Sequence, residues 1–262
     1  MHIVVTLKQV HDSNLPRSSL KIAADGQTLS LPAGSGPILN GYDGNALEEA
    51  LKLRDALSGK VTAVSVGNDT VKAVLTRAIA MGADQALHIR GPSGLENSSQ
   101  IVAAALAAGI KSLGSVDLVL SGRQASDTDG GVVPFLLAGH LGFAAVAPVR
   151  AIKADAQAAL LVDRIADGRI QRLRIRGPVV LGVSNEINKP RSPSLRGVMN
   201  SKRAVIPTKT AEELGVKSEP GIQLRRLYAR PAPALSTEMI TGSSPAEVGR
   251  LLAEKLHQER LI

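Results

Sequence analysis

The feature that most limits the fold is an alternation. Short aliphatic runs, Ile3 to Leu7, Val61 to Val66, Ala86 to Ile89, Val116 to Leu120 and Pro178 to Val183, are separated by stretches whose apolar residues recur at helical spacing. Runs that are apolar at nearly every position suit strands buried on both faces of a parallel sheet. Between them, Ala46, Leu47, Ala50, Leu51, Leu53 and Leu57 form one face of a helix from Asn45 to Leu57, with Glu48, Glu49, Lys52 and Arg54 outside the stripe. Asp69 stands where it can N-cap a helix from Val71 to Met81, which Gly82 closes. Ser98 or Ser99 opens an alanine-rich helix towards Lys111, and another runs from about Gly131 to Leu141. Such alternation implies right-handed crossovers and an α/β fold, a doubly wound and mostly parallel sheet.

Two stretches break the rhythm. Lys21 to Leu29 carries Asp25-Gly26 between two strand-like halves, the signature of a hairpin inserted after the first strand. Leu160-Leu161-Val162 and Arg172 to Arg176 bracket a second turn at Asp167-Gly168, so an antiparallel ribbon is expected to be appended to the parallel sheet. After Asn188 the periodicity ends. The segment Lys189 to Ser194, with Pro190 and Pro193, admits neither regular helix nor central strand. Pro207, Pro220, Pro231 and Pro233 are expected to keep the following tail extended. Ser244-Pro245-Ala246-Glu247 then marks a last helix, a capping box with proline at the first helical position, and Val248, Leu251, Leu252 and Leu256 form its apolar stripe. The expected division is an α/β domain over residues 1–188 and an extended arm over 189–262 ending in a helix. An arm with so little core of its own is expected to grip another chain.

Composition removes several function classes. Cysteine is absent, which excludes disulfides, thiolate metal sites and cysteine nucleophiles and fits a reducing, cytoplasmic setting. No apolar run approaches the ~20 residues of a transmembrane segment. The formal charge of +8 suits nucleic acid, an anionic membrane surface or acidic protein partners, or simply a solvated basic surface, and the basic residues are not gathered into one block. Two Tyr, two Phe and no Trp leave few stacking platforms, so no nucleic acid is expected as a partner.

Chemistry is expected at the carboxyl ends of the parallel strands. Three segments lie there: Thr6 to Lys8, Ser65 to Asn68, and Ser121 to Gly131. The last runs from a buried strand through glycine and small polar residues into a helix N-terminus, where backbone N–H groups can cradle a phosphate. An ordinary strand–helix turn is the alternative. Asp127 and Asp129 are awkward beside a phosphate and suit capping, a hydroxyl contact or a metal better. Neither G-x-G-x-x-G nor a Walker A run occurs, and Ser121-Gly122 is not part of a nucleophile elbow. His2, His11, His88, His140 and His257 show no ligand spacing. No nucleophile–base–orienter set emerges, so the chain reads as a binder and carrier with no catalytic constellation of its own.

Several motifs together resemble a known family. Val4 to Asp12, Asn40 through Asn45 to Leu51, Ala80 to Asp84, Asp117 to Asp127 and, above all, Asn188-Lys189-Pro190-Arg191-Ser192-Pro193-Ser194-Leu195-Arg196-Gly197-Val198-Met199 are similar, in order and spacing, to electron transfer flavoprotein beta subunits. Gly41 stands where many members carry Pro, Val132 where Gln is usual, and Arg169 where a small or acidic residue follows the acidic–glycine turn.

The resemblance implies a sheet of the adenine-nucleotide-binding type. It also implies a heterodimer with a larger alpha subunit that holds a redox FAD, and a structural AMP in the beta subunit. In flavin-bifurcating members a second FAD takes much the same place. The residues implied to line the nucleotide site are Thr6, Asn40, Gly41, Tyr42, Asp43, Val66, Gly122, Arg123, Gln124, Ala125, Ser126, Asp127, Thr128, Asp129, Gly130, Gly131, Val132 and Val133, with Tyr42 near the alpha subunit's flavin. Leu195 matches a leucine that docks into a partner dehydrogenase, with Arg191 and Arg196 beside it to steer acidic partners. The function implied is to accept electrons from flavin dehydrogenases and pass them on to a quinone-linked acceptor. A contrasting expectation is a free-standing nucleotide-binding stress or regulatory protein with a similar domain.

Overall fold

The computed structural model describes residues 1–91, 97–155, 159–217, 224–231 and 236–262. Strand β1 is His2–Thr6; β2 (Gln9–Val10), β3 (Lys21–Ile22), β4 (Leu29–Ser30) and β5 (Ile38–Leu39) follow as short pieces before helix α1, Gly41–Leu57. Then come β6 (Lys60–Gly67), α2 (Lys72–Met81), β7 (Gln85–Arg90), α3 (Ser99–Lys111), β8 (Leu118–Gly122) and α4 (Val133–Leu141). The order continues with β9 (Ala144–Ala154), β10 (Leu160–Ala166), β11 (Arg169–Ile175), β12 (Val179–Val183), α5 (Leu195–Arg203), β13 (Thr208–Thr210) and α6 (Pro245–Gln258).

Among the described residues nine strands form one sheet, in the order β11-β10-β9-β12-β8-β1-β6-β7-β13. Pairing is parallel from β9 through β13, and β10 and β11 add an antiparallel edge. The ribbon turns at Asp167 and Gly168, both left-handed with φ of 50° and 70°, as a tight hairpin requires. The hairpin at Asp25-Gly26 also forms, pairing Lys21 with Ser30 and Ile22 with Leu29.

Alternate side chains of the central strands go to opposite faces, and both faces are covered. Ile3, Val5, Leu118, Leu120, Val179 and Leu181 pack with Leu47, Leu51 and Leu75 of α1 and α2. Val4, Val119 and Val180 pack with Leu106, Ile110 and Leu137 of α3 and α4. Each such buried side chain contributes about 1.5–3 kcal/mol of transfer free energy, so the aliphatic runs alone account for where the sheet centre lies.

The structure also revises several boundaries. α1 begins at Gly41, a full turn before the expected Asn45. Asn68, and not Asp69, caps the turn before α2, accepting from Thr70 N at 3.0 Å. α4 starts at Val133 because Gly131 is left-handed, with φ of 63°. β9 has no counterpart among the expected strands.

The tail is less extended than expected. Ser194 caps α5 by accepting from Gly197 N at 3.0 Å, so Leu195 opens a helix inside the tail expected to be extended. β13 pairs with β7 in parallel. The first compact unit therefore runs from Met1 to Leu227, beyond the expected boundary at residue 188, and the second is Tyr228–Ile262. Pro220 and Pro233 lie outside the described residues. In the second unit α6 forms where its capping signal lies: Ser244 Oγ accepts from Glu247 N at 3.3 Å. The Glu247 carboxylate reaches back one residue further than a capping box requires, to Ser243 N at 2.8 Å. No helix among the described residues is long and apolar enough to cross a membrane.

Candidate functional site

Strand order reverses between β1 and β8, and a cavity opens at their carboxyl ends. Its volume is about 560 Å³, within the ~300–1,000 Å³ range of small-molecule sites. Thr6, Val66, Gly122 and the loop after β8 line it, and Val71, Val102, Leu106 and Pro134 supply apolar surface.

The geometry starts from Asp43 in the first turn of α1. Its side chain is buried and accepts from Lys8 N at 2.7 Å and Gly122 N at 2.9 Å, tying the ends of β1 and β8 to one carboxylate. Burial pushes its pKa up to about 7, although the N–H groups of Lys8 and Gly122 and the Asn40 side chain pull it down. Gly122 permits the approach: a Cβ there would collide with Asp43 Oδ1 and lie 2.8 Å from Tyr42 Cβ. Asn40, also buried, holds the loop after β8. Its amide donates to Gln124 O at 2.9 Å and its oxygen accepts from Ser126 N at 3.3 Å.

Both acidic residues of that loop are engaged. Lys8 Nζ meets Asp127 Oδ1 at 2.7 Å, and Gln124 Nε2 donates to Asp129 Oδ1 at 2.8 Å. Asp127 is thus countered by a lysine. The loop turns tightly, with Asp129 N donating to Ala125 O at 2.8 Å. Past it, the amides of Gly130, Gly131, Val132 and Val133 donate to no partner among the described residues, and all four residues line the cavity at the N-terminus of α4. Such a set of unspent donors on a helix dipole is suited to an anion. His11 lines the same cavity and its Nδ1 is a buried atom without a partner among the described residues.

Of the expected site residues, Thr6, Asn40, Asp43, Val66, Gly122, Gln124, Ala125, Asp127, Thr128 and Gly130 to Val133 line the cavity. Gly41, Tyr42, Arg123, Ser126 and Asp129 are not on its lining. Tyr42 and Arg123 meet each other instead, the guanidinium 5.2 Å from the ring centroid. Sequence reasoning missed the contribution of His11, Pro37, Thr70 and the first turns of α3, which reach the cavity only through the fold.

The expected docking residues separate. Leu195, at the start of α5, is 80% exposed, and Arg196 beside it is exposed as well. Arg191 is not a free steering charge: its Nε and Nη2 bond the buried Glu48 carboxylate at 2.7 and 3.1 Å. Among the histidines, His88 is a satisfied core residue between Gly67 O at 3.0 Å and Thr208 Oγ1 at 3.2 Å.

Comparison with known proteins agrees with this architecture. The family model described as "Electron transfer flavoprotein domain" matches residues 32–214. The chain is 34% identical over 269 residues to the "Caffeyl-CoA reductase-Etf complex subunit CarD" of Acetobacterium woodii, covering all of both chains. It is 32% identical over 268 residues to the "Electron transfer flavoprotein subunit beta" of Thermoanaerobacterium thermosaccharolyticum, again over the whole of both. To the subunit of the same name from Mycobacterium tuberculosis it is 31% identical over 224 residues, 83% of this chain and 82% of that one. With the family model spanning most of the chain and full-length relatives above 30% identity, the chain belongs to the electron transfer flavoprotein beta-subunit family.

Proposed function

We propose that the chain works as the beta half of a heterodimer whose alpha subunit holds the redox FAD, and that its cavity keeps an adenine nucleotide, AMP, with the phosphate at the N-terminus of α4. The observation that carries this reading is the row of unspent amides from Gly130 to Val133 on a cavity of nucleotide size. The unpartnered His11 Nδ1 offers a polar contact on the same lining, and Val66, Val102 and Leu106 offer apolar surface for a base. Lys8 and Gln124 keep the two loop carboxylates occupied, which lowers their repulsion of a phosphate. FAD, when bound, supplies the electron store; this chain supplies the scaffold beside it and a docking surface for flavin dehydrogenases and a quinone-linked acceptor. Tyr42, with Arg123 over its ring, stands off the cavity lining, where it is available to the partner's flavin. Family membership sets aside the free-standing regulatory protein.

A second reading places a redox-active FAD in the cavity and has the complex divide electrons between two acceptors. The full-length likeness to a subunit of a reductase–Etf complex favours it. The test is co-expression with the alpha subunit, then flavin absorbance per heterodimer and mass spectrometry of the released nucleotide. One flavin with AMP supports the first reading; two flavins without AMP support the second. No nucleotide beyond the alpha subunit's FAD sinks both.

A further inference from the structure

Three polar residues on α1 are buried although the helix pattern put two of them on a solvated face. Asn45, Glu48 and Glu49 are 6%, 4% and 7% exposed. Their spacing of i, i+3 and i+4 puts them on one stripe, beside the apolar one that packs on the sheet. Two adjacent carboxylates in such a place are costly unless partnered. Apart from Lys52 Nζ, 3.9 Å from Glu49 Oε2, the partners of these side chains among the described residues come from one short segment. Asn45 Nδ2 donates to Asn188 O at 2.8 Å, and Asn188 Nδ2 returns a bond to Asn45 O at 3.0 Å and reaches Glu49 Oε2 at 3.0 Å. Arg191 gives Glu48 three bonds, from its backbone N at 3.1 Å and from Nε and Nη2. Between them Pro190 packs on Gly44, where a Cβ would lie 3.7 Å from its ring.

The segment makes its last bonds to α1 at Arg191, four residues before Leu195, and Pro193 stiffens the gap by fixing its own φ. Ser194 then caps α5. On its far side α5 rests on α2 so closely that a Cβ at Gly197 would collide with the carbonyl oxygen of Ala80. The exposed Leu195 therefore sits between two fixed points, with Met199 (55% exposed) one turn further along the same helix.

We propose that Glu48 is a positioning residue for partner docking: through Arg191 it fixes the N-terminus of α5 so that Leu195 meets the electron-donating dehydrogenase in a preformed orientation. The proposal rests on the docking role of Leu195 given above. Holding an apolar anchor in place before encounter reduces the ordering cost of binding. It also reassigns Arg191, whose guanidinium is held by Glu48 within the chain.

The experiment measures electron transfer from the cognate dehydrogenase to the intact heterodimer, as a function of heterodimer concentration. Glu48→Gln keeps the volume but loses the charge that a bidentate arginine requires. It is expected to raise the KM for the carrier by about tenfold, with a much smaller change in kcat. Leu195→Ala is expected to raise KM by at least as much. The double variant should be no worse than Leu195→Ala alone, because a misplaced anchor and a missing one are the same loss. Arg191→Lys retains the charge but not the fork, and should raise KM as Glu48→Gln does. Multiplicative effects in the double variant, or an unchanged KM in both Glu48→Gln and Arg191→Lys while Leu195→Ala is impaired, overturn the positioning role alone. An unimpaired Leu195→Ala overturns the docking reading and this inference with it. Should Glu48→Gln not assemble, Arg191→Lys with the Arg191→Lys/Leu195→Ala double variant gives the same decision.

Discussion

At the scale of single residues, Asp43 concentrates most of the site's physics. Its carboxylate accepts from the ends of two strands, yet burial raises its pKa from 3.8 to about 7. A folded pKa above the unfolded one means that the group's contribution to stability is fully present below pH 3.8 and is lost as pH rises through about 7. Asp43→Asn carries no such titration and sets a donor against one of the two amides, Lys8 N or Gly122 N, a cost of about 1–3 kcal/mol. Urea unfolding of both proteins from pH 4 to 8 is expected to show the wild type's advantage shrinking through that window; parallel profiles would rule out the assignment. Gly131 is the second such residue, left-handed at φ of 63° and lining the cavity. Gly131→Val forces a β-branched residue into that region and should lower nucleotide per heterodimer, read by mass spectrometry after denaturation. Undiminished nucleotide would remove the loop from the site. The sequence exposed Gly131 through its place between strand and helix, but not the burial of Asp43. Nor did it show that Arg191 belongs to Glu48, a partner 143 positions away, because local patterns carry no information on long-range pairing.

Elements were legible in proportion to how far their apolar pattern decides them. The strands β1, β6, β7, β8 and β12 are buried on both faces and read as aliphatic runs, so their order and type followed from the sequence. β9 is alternately half-exposed and holds Pro148, Arg150 and Lys153, so it shows no such run. α5 was hidden by the prolines before it, although Ser194 and the apolar residues Leu195, Val198 and Met199, at i, i+3 and i+4, do mark a short helix. α6 was legible because its cap and proline are local signals, and it has no buried residue within the chain. Val248, Leu251 and Leu256 are only half-buried and Leu252 is 46% exposed, and we propose that this stripe packs on the alpha subunit. Deleting residues from Ser244 onward should weaken heterodimer formation by several kcal/mol, at ~1.5–3 for each newly buried leucine before ordering costs. Titration calorimetry or sedimentation of the separated subunits measures this. An unchanged affinity would place the helix outside the interface.

At the scale of the whole molecule, the proposed nucleotide cavity and the proposed docking residue Leu195 are linked through one helix, α1. α1 begins at the cavity with Asp43 and, one turn on, holds the segment that leads to Leu195. In the docking reading proposed above, the formal charge of +8 attracts acidic surfaces at long range and a single apolar side chain fixes the encounter. An exposed leucine is ordinarily unremarkable. Leu195 differs because a capped helix presents it, the ion pair of Arg191, four residues earlier, with the buried Glu48 and a glycine contact two residues later hold that helix, and Arg196 remains exposed beside it. A dehydrogenase pocket that takes this side chain would hold the beta surface while the flavin of the alpha subunit comes into range. On that reading the side chain acts on docking and not on the flavin's own chemistry. Leu195→Ala should therefore slow electron transfer from the dehydrogenase by ~10-fold or more at sub-saturating carrier, the scale set by the ~1.5–3 kcal/mol of burying a leucine. Dithionite reduces the flavin without docking, so that rate serves as the internal reference. Raising the salt should slow wild type and variant alike, because the steering charges are present in both. A Leu195→Ala heterodimer that accepts electrons as fast as the wild type at every carrier concentration would remove the side chain from the mechanism, and would leave the exposed face of α5 to be explained by Val198 and Met199.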